Sequence, residues 1–359
     1  MGKKEQYMWR CLQLANNGLG STYPNPLVGC VIVCGGKIIG EGWHRKAGEP
    51  HAEVMAIASV KDKSLLEKSE LYVNLEPCSH FGRTPPCADL IVRHKIPKVF
   101  IGNVDWNEQV KGRGVKRLRE SGCEVVTGVL EVACRSLNKR FFTFHEKSRP
   151  YIMLKWAQSS DGYLYPDMDD NKTAKPIWIS NEFSRQLVHK WRAEEEAILV
   201  GSKTVIKDDP SLTVRDFRGN SMLRLVIDRE GESFGPRKLF KDAERTWTFV
   251  DRTTKESIDS STWQETTLIE LDFDREVVLQ IIEHLWKEGV QSLIVEGGAI
   301  TLQAFIDSGI WDEARVFEGA PIFAGGIAAP QIKLPATRVE NVRDDRLVIY
   351  KNPDEYEFL

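Results

Sequence analysis

The sequence predicts an α/β protein of two domains, and three observations predict it. Runs rich in β-branched residues alternate with stretches of helical periodicity along the whole chain, the pattern of sheets covered by helices. The 359 residues suit two cores better than one. A polar, proline-bearing junction, FHEKSRPY around Glu146 to Pro150, separates two rounds of the alternation. The boundary is placed there, giving domains 1–147 and 148–359. The first domain reads as an α/β/α sandwich and the second as a more strand-rich α/β domain.

Taken in order, Lys4 to Asn17 has apolar spacing at Met8, Leu12 and Ala15 and predicts an opening helix. VGCVIV and KIIGEG are β-rich and flank Cys34-Gly35-Gly36, which predicts a hairpin. HAEVMAIASV begins a helix after Pro50, ELYVNLEP is a strand, and TPPCADLIVRHK starts a helix after two prolines. PKVFIGNVD and EVVTGVL are strands around the helix KGRGVKRLRESGC, and LEVACRSLNKRFFTFH reads as one last helix. The second half opens with the strand YIMLKWAQSSDG, followed by a polar loop, YPDMDDNKTAKP. SNEFSRQLVHKWRAE is a helix with Ser180 expected as its cap and Glu182 in its first turn. LRLVIDR, TWTFVDR and TTLIELD are strands. DREVVLQIIEHLWKEG is a helix leading to the strand QSLIVEGG and the helix AITLQAFIDSG, with late strands in WDEARVFEGAPIFAGG and RLVIYKNP.

Hydrophobic residues make up 42% and charged residues 28%, which excludes a disordered chain. No apolar run approaches the roughly 18 residues of a membrane span. The start has neither an apolar signal core nor a cleavage site, so the cytoplasm is the expected location. All seven cysteines lie in the first 134 residues, where a reducing compartment makes a disulfide framework unexpected and metal ligands or buried thiols expected. The net charge of −3 divides into +7 for residues 1–147 and −10 for the remainder. The basic half could attract an anionic ligand, nucleotide or nucleic acid, or could simply present solvated helix faces.

The chemistry concentrates in His51-Ala52-Glu53, Pro77-Cys78 and Cys87. One imidazole and two thiolates suit zinc and leave a fourth position for water. Cys30, Cys34, His44 and His80 could each close the site instead. Glu53 argues for the open form, because at a helix start His51 and Glu53 can converge, one as ligand and one as proton carrier. Cys87 also falls at a helix start, where the dipole favours a thiolate. H-x-E with P-C-x-x-C is the pattern of zinc nucleobase deaminases, but here eight residues separate the cysteines.

With these residues in view, TYPNPLVGCVIV, GEPHAEVMAI and LEPCSHFGRTPPC resemble the deaminase half of the bifunctional riboflavin-biosynthesis deaminase/reductase family. YIMLKWAQSSDG, WRAEEEAILVGSKTVIKDDPSLTVR and VEGGAITLQAF resemble its reductase half. The resemblance covers nearly the whole chain. It implies a cytidine-deaminase-like domain followed by a dihydrofolate-reductase-like domain. It also implies zinc and NADPH as cofactors and a phosphorylated pyrimidine as substrate. The first half would remove the 2-amine of 2,5-diamino-6-(5-phosphoribosylamino)pyrimidin-4-one, and the second would reduce the ribosyl group to ribityl. His51, Cys78 and Cys87 would hold zinc and Glu53 would carry protons. Asn25 and His44 would line the pyrimidine pocket, and His80, Arg83 and Thr84 are candidates for base or phosphate contacts. Ala157, Trp178, Thr204, Asp208 and the run Gly298, Ala299, Ile300, Thr301, Leu302, Gln303 and Ala304 align with cofactor contacts. Arg192, Leu212, Arg215 and Glu296 align with substrate contacts, and Lys155 could assist opening of the sugar ring. A homo-oligomer, dimer or tetramer, is expected, with neither nucleic acid nor membrane as partner.

Some residues depart from the family pattern. Ser160 replaces a usual leucine, and the stretch from Gly162 to Trp178 is longer than usual, which leaves Pro176 unassigned. Arg229 stands where serine is common, so that cofactor contact is open; an arginine there could reinforce binding of a 2′-phosphate. The rival readings are a tRNA-type deaminase with an accessory domain and a non-enzymatic zinc module. In a third, one half has decayed.

Overall fold

The computed structural model describes residues 1–79, 85–104, 112–167, 178–241, 244–258 and 266–353. The chain divides into two compact units, Met1–Ser148 and Arg149–Leu359.

The first unit carries α1 (Lys3–Asn16), β1 (Gly29–Cys34), β2 (Lys37–Trp43), α2 (Ala52–Ser59), β3 (Ser69–Leu75), α3 (Cys87–Arg93), β4 (Lys98–Asn103), α4 (Arg113–Glu120), β5 (Glu124–Val126), α5 (Glu131–Leu137) and α6 (Lys139–Lys147). Its sheet has the order β2-β1-β3-β4-β5, with β1 antiparallel to β2 and β3, and β3, β4 and β5 parallel. The hairpin turns at Gly35 and Gly36, both at positive φ, a region glycine enters without penalty. Alternation along the buried strands sorts the core into two layers. Cys30 and Ile32 face α2, α3 and α4, whereas Val31 and Val33 face α1 and α5. This is the expected α/β/α sandwich. Two glycines allow its elements to pack closely: a Cβ on Gly42 would lie 2.4 Å from the Ala56 nitrogen in α2, and one on Gly114 would lie 2.1 Å from the Pro77 carbonyl, next to Cys78.

The expected single helix over LEVACRSLNKRFFTFH is two. The chain breaks at Asn138, whose side chain accepts from Leu27 N–H at 2.8 Å and donates to Leu27 C=O at 2.9 Å. A buried amide able to satisfy a loop backbone on both sides outweighs one more turn of helix.

The second unit carries β6 (Tyr151–Gln158), β7 (Tyr163–Pro166), α7 (Glu182–Glu194), β8 (Ala197–Gly201), α8 (Ser202–Asp208), β9 (Leu223–Ile227), β10 (Thr246–Val250), α9 (Arg252–Ser257), β11 (Thr266–Glu270), α10 (Val277–Lys287), β12 (Ser292–Val295), α11 (Ala299–Asp307), β13 (Glu313–Glu318), β14 (Gly326–Ala328), β15 (Arg338–Val342) and β16 (Asp345–Lys351). Nine strands form one sheet in the order β11-β10-β9-β8-β12-β6-β13-β16-β15, parallel except around β16. Ile152, Leu154 and Trp156 of β6 face the α10 and α11 side, while Tyr151 and Met153 face the α7 and α8 side.

Several elements differ from expectation. Asn181, not Ser180, caps α7, its side chain accepting from Ser184 N–H at 3.0 Å. Tyr165 and Pro166, expected in the polar loop, belong to β7, which pairs with β14. Strand β15 and helix α9 were not foreseen. The largely exposed β15 carries no apolar alternation, and α9 is six residues held by the Asp251 cap. Among the described residues no helix is long and apolar enough to cross a membrane.

Candidate active sites

In the first unit the carboxyl end of β3 and the starts of α2 and α3 meet. His51 is the N-cap of α2, and Cys87 is the first residue of α3, after Pro85 and Pro86. Cys78 follows β3 across Glu76 and Pro77. Its sulfur accepts from Cys87 N–H at 3.3 Å, and its carbonyl accepts from Ala88 N–H at 3.1 Å. Glu76 secures the turn from below, accepting from the N–H groups of Gly112 and Val115 at 3.0 Å each.

Nδ1 of His51 lies 3.6 Å from Cys78 Sγ and 3.4 Å from Cys87 Sγ. Tetrahedral zinc with its usual bond lengths needs N–S edges of about 3.6 Å, so these three donors fit that ion. Among the described residues no further His, Cys, Asp or Glu joins the cluster. Cys30 is buried in the core of the sheet. His44 is engaged elsewhere: one ring nitrogen meets Pro50 C=O at 3.2 Å and the other meets Asn25 Nδ2 at 3.0 Å. These partners select the neutral tautomer with the proton on Nδ1. Burial also lowers the His44 pKa. The His44 and His51 rings meet edge to face, with centroids 5.5 Å apart.

Glu53, in the first turn of α2, is 3% exposed. Burial, then the charge of Cys78, raises its pKa to about 7. The two thiols titrate as a pair. Cys78 is drawn down, chiefly by its hydrogen bond with Cys87 and then by His51, while Cys87 is pushed up by the same contact and by burial. His80, Arg83 and Thr84 lie outside the described residues.

In the second unit a cavity of about 470 Å³ opens at the carboxyl ends of the parallel strands β6, β8, β9 and β12. Ligands of open α/β sheets bind at this edge. Ala157, Thr204, Asp208, Glu296 and the segment Gly298, Ala299, Ile300, Thr301 and Leu302 line it, together with Lys155. Gly298 N–H donates to Thr204 Oγ1 at 2.9 Å, which ties α8 to the start of α11.

A buried charge cluster sits at one end. Arg192 reaches the Glu296 carboxylate through Nε and Nη2 at 2.8 Å each, and Lys155 Nζ stands 3.3 Å from the same carboxylate. Against its burial, Arg192 and then Lys155 hold the Glu296 pKa down at about 2. Burial lowers the pKa of Lys155.

Other residues singled out by the resemblance are placed elsewhere. Trp178 is exposed with Arg185 stacked over its ring at 4.3 Å, outside the cavity wall. Gln303 and Ala304 are not on that wall but line an adjoining surface depression with Pro330, which shares Ala299 and Ile300 with the cavity. Leu212 is a core residue, and exposed Arg215 donates its backbone N–H to His189 Nδ1 at 3.3 Å. Sequence reasoning missed Lys203, Lys207, Tyr165 and Phe273, all on the cavity wall. For the two lysines, the i, i+4 spacing on α8 was the available signal.

A His-Cys-Cys cluster beside a buried carboxyl, on a sandwich of this topology, defines a zinc-dependent deaminase domain. The second unit is a reductase domain of the dihydrofolate-reductase-like class. Comparison with known proteins agrees on both. Residues 1–103 match the family model of the cytidine and deoxycytidylate deaminase zinc-binding region, and residues 150–346 match that of the RibD C-terminal domain. The chain belongs to the family of the riboflavin biosynthesis protein RibD. It is 39% identical to the RibD protein of Aquifex aeolicus, over 97% of this chain and 98% of that one, and 37% identical to that of Escherichia coli, over 92% and 91%. It also resembles the crystal structure of a diaminohydroxyphosphoribosylaminopyrimidine deaminase/5-amino-6-(5-phosphoribosylamino)uracil reductase from Thermotoga maritima. The TM-score is 0.86 and the identity 35%, covering 98% of this chain and 99% of that one. The chain is therefore a two-activity enzyme of riboflavin biosynthesis, a zinc-dependent deaminase joined to an NADPH-dependent reductase. The rival reading as a nucleic-acid deaminase with an accessory domain is not favoured, since the second half has its own family match.

Proposed function

We propose that the first unit hydrolyses the 2-amine of 2,5-diamino-6-(5-phosphoribosylamino)pyrimidin-4-one, and that the second reduces the ribosyl side chain of the product to ribityl. One observation carries the reading of the first unit. A buried carboxyl, Glu53, lies in the first turn of α2 beside the His51, Cys78 and Cys87 donors.

These three residues would hold zinc, which when bound supplies an acidified water at neutral pH. Buried beside these donors, Glu53 is placed to accept and return a proton. It would take the proton of the attacking water and deliver it to the ring nitrogen, then take the proton of the newly attached hydroxyl and deliver it to the amine, which leaves as ammonia. Asn25 would orient the pyrimidine. One of its amide N–H groups is committed to His44, whose other nitrogen is committed to Pro50, so the Asn25 amide is fixed in direction.

In the second unit the cofactor supplies the hydride and the protein positions and polarises. The N–H groups of Ala299, Ile300 and Thr301 in the first turn of α11 lack intrahelical acceptors and suit a diphosphate. Arg192 and Glu296 would contact the substrate, the arginine as a phosphate partner, and Lys155 would donate the proton that opens the ribose ring. We further propose that the enzyme works in the cytoplasm as a homo-oligomer, without nucleic acid. His80 and Arg83 are proposed substrate contacts on their position in the sequence alone.

The test is incubation with the diaminopyrimidine substrate, with and without NADPH. Ammonia should appear without NADPH, and NADPH should be oxidised only after deamination. Neither signal from folded, zinc-loaded protein would refute the proposal.

A further inference from the structure

Helix α7 holds a neighbouring segment by its backbone, with two side chains of one face. His189 and Arg192 are three positions apart and share that face. Arg192 Nη1 donates to Thr213 C=O at 3.3 Å, while its Nε and Nη2 hold Glu296. Arg215 N–H donates to His189 Nδ1, also at 3.3 Å. Just before these two bonds, buried Arg224 donates from Nη1 to Ser211 C=O at 3.3 Å, and the Leu212 side chain is anchored in the core. Leu212 has a φ of +50°, a left-handed conformation that a branched side chain keeps only where its surroundings impose it. Further along, a Cβ on Gly219 would lie 2.4 Å from the Ala193 Cβ, so the chain still hugs the end of α7 there.

We infer that His189 is a positioning residue of the reductase site: by accepting the Arg215 N–H it fixes the backbone from which the Arg215 guanidinium meets the phosphate of the substrate. The inference rests on the proposed binding of a phosphorylated substrate beside Arg192 and Glu296. One run of contacts joins the two places, from Glu296 through Arg192 to Thr213 and, two residues on, from Arg215 to His189. Arg215 is exposed and makes no ion pair among the described residues, so its guanidinium has donors to offer an anion.

The His189 ring is built for this task. It is 5% exposed, and with Nδ1 accepting, its proton sits on Nε2, which faces Asp216 Oδ2 at 3.5 Å. The ring is thereby steered from both sides by consecutive residues, Arg215 and Asp216. Without the Nδ1 acceptor the Arg215 N–H loses its partner and the backbone around it regains freedom. Substrate binding must then supply the order that the fold supplied before. That loss weakens the bound substrate and the transition state alike, so it raises KM and leaves kcat unchanged.

The experiment uses the full-length zinc-loaded chain and measures kcat and KM for 5-amino-6-(5-phosphoribosylamino)uracil at saturating NADPH. Ammonia release and NADPH binding by calorimetry report that both units remain folded. His189→Leu should raise KM by about 5- to 10-fold with kcat within about twofold of wild type. His189→Asn puts an acceptor where Nδ1 was and should recover most of the loss. His189→Gln puts its polar end at the Nε2 place and should not. In an Arg215→Ala background, His189→Leu should raise KM no further, because the two residues act as one unit. A fall in kcat equal to the rise in KM would overturn the inference, as would equal recovery by Asn and Gln or additive effects in the double variant. If His189→Leu lost NADPH binding, the contrast between the Asn and Gln variants would decide. An unchanged KM in Arg215→Ala would refute the placement of the substrate at Arg215, and the role of His189 with it. A raised KM in Arg215→Ala beside a wild-type KM in His189→Leu would remove only the role of His189.

Discussion

Glu296→Gln tests the charge cluster of the second unit directly. The substitution keeps the shape of the side chain but removes the carboxylate shared by Arg192 and Lys155, whose side chains are 13% and 15% exposed. Two largely buried cations would then remain without their counter-charge. Breaking one partner out of such a buried pair costs about 3–5 kcal/mol. Proton linkage gives a similar figure. The Glu296 pKa falls from its ordinary 4.5 to about 2. Each unit is worth about 1.4 kcal/mol, so the carboxylate contributes about 3 kcal/mol at neutral pH. Because the folded value is the lower one, this contribution is complete above about pH 4.5 and fades as pH falls towards 2. For a unit of this size the loss corresponds to a Tm lower by about 10 °C. Calorimetry on the full chain resolves it, with NADPH marking the transition of the second unit by shifting it upward. The gap between wild type and Glu296→Gln should be widest near pH 7 and should narrow below pH 4.5. Equal melting temperatures at pH 7, or a gap that widens on acidification, would refute the reasoning.

Three other outcomes follow from the geometry. Glu53→Gln should cut ammonia release by a factor of about 100 or more while leaving the zinc content by metal analysis unchanged, whereas a structural zinc module would be indifferent to it. Gly114→Ala should push the Pro77 carbonyl away, since its Cβ would sit at 2.1 Å from that oxygen; the expected cost is about 1–3 kcal/mol, with weaker zinc retention against a chelator. Asn138→Leu should leave the Leu27 N–H without its acceptor and lower the stability of the first unit by about 1–3 kcal/mol in denaturant titration, while a neutral result would mean that the break between α5 and α6 does not depend on that amide.

The two sites were visible in the sequence to different degrees. The deaminase donors were visible because each sits at a local signal: His51 after Pro50 at a helix start, Cys78 after Pro77 at a strand end, Cys87 after two prolines. Such signals are short-range and survive without knowledge of the fold. The Asn138 break was not visible, because its cause is a loop 111 residues earlier. The reductase site was visible only through resemblance. Gly297-Gly298 alone is an ordinary turn; the i, i+4 spacing puts Lys203 and Lys207 on one face of α8, but nothing local says that this face and Phe273 border one cavity.

The sequence by itself determined the α/β class, the alternation that places each strand residue on one face, and the donor types able to hold zinc. These follow from backbone periodicity and side-chain chemistry, which are properties of short segments. Only the tertiary structure decided which charges meet. Arg192 and Glu296 are 104 positions apart and Lys155 and Glu296 are 141 apart, yet one carboxylate serves both cations. Tertiary burial likewise decided that Glu53, an ordinary acid in the sequence, stands near neutrality. A pKa is set by the dielectric and the charges around a group, and those exist only once distant segments have packed together.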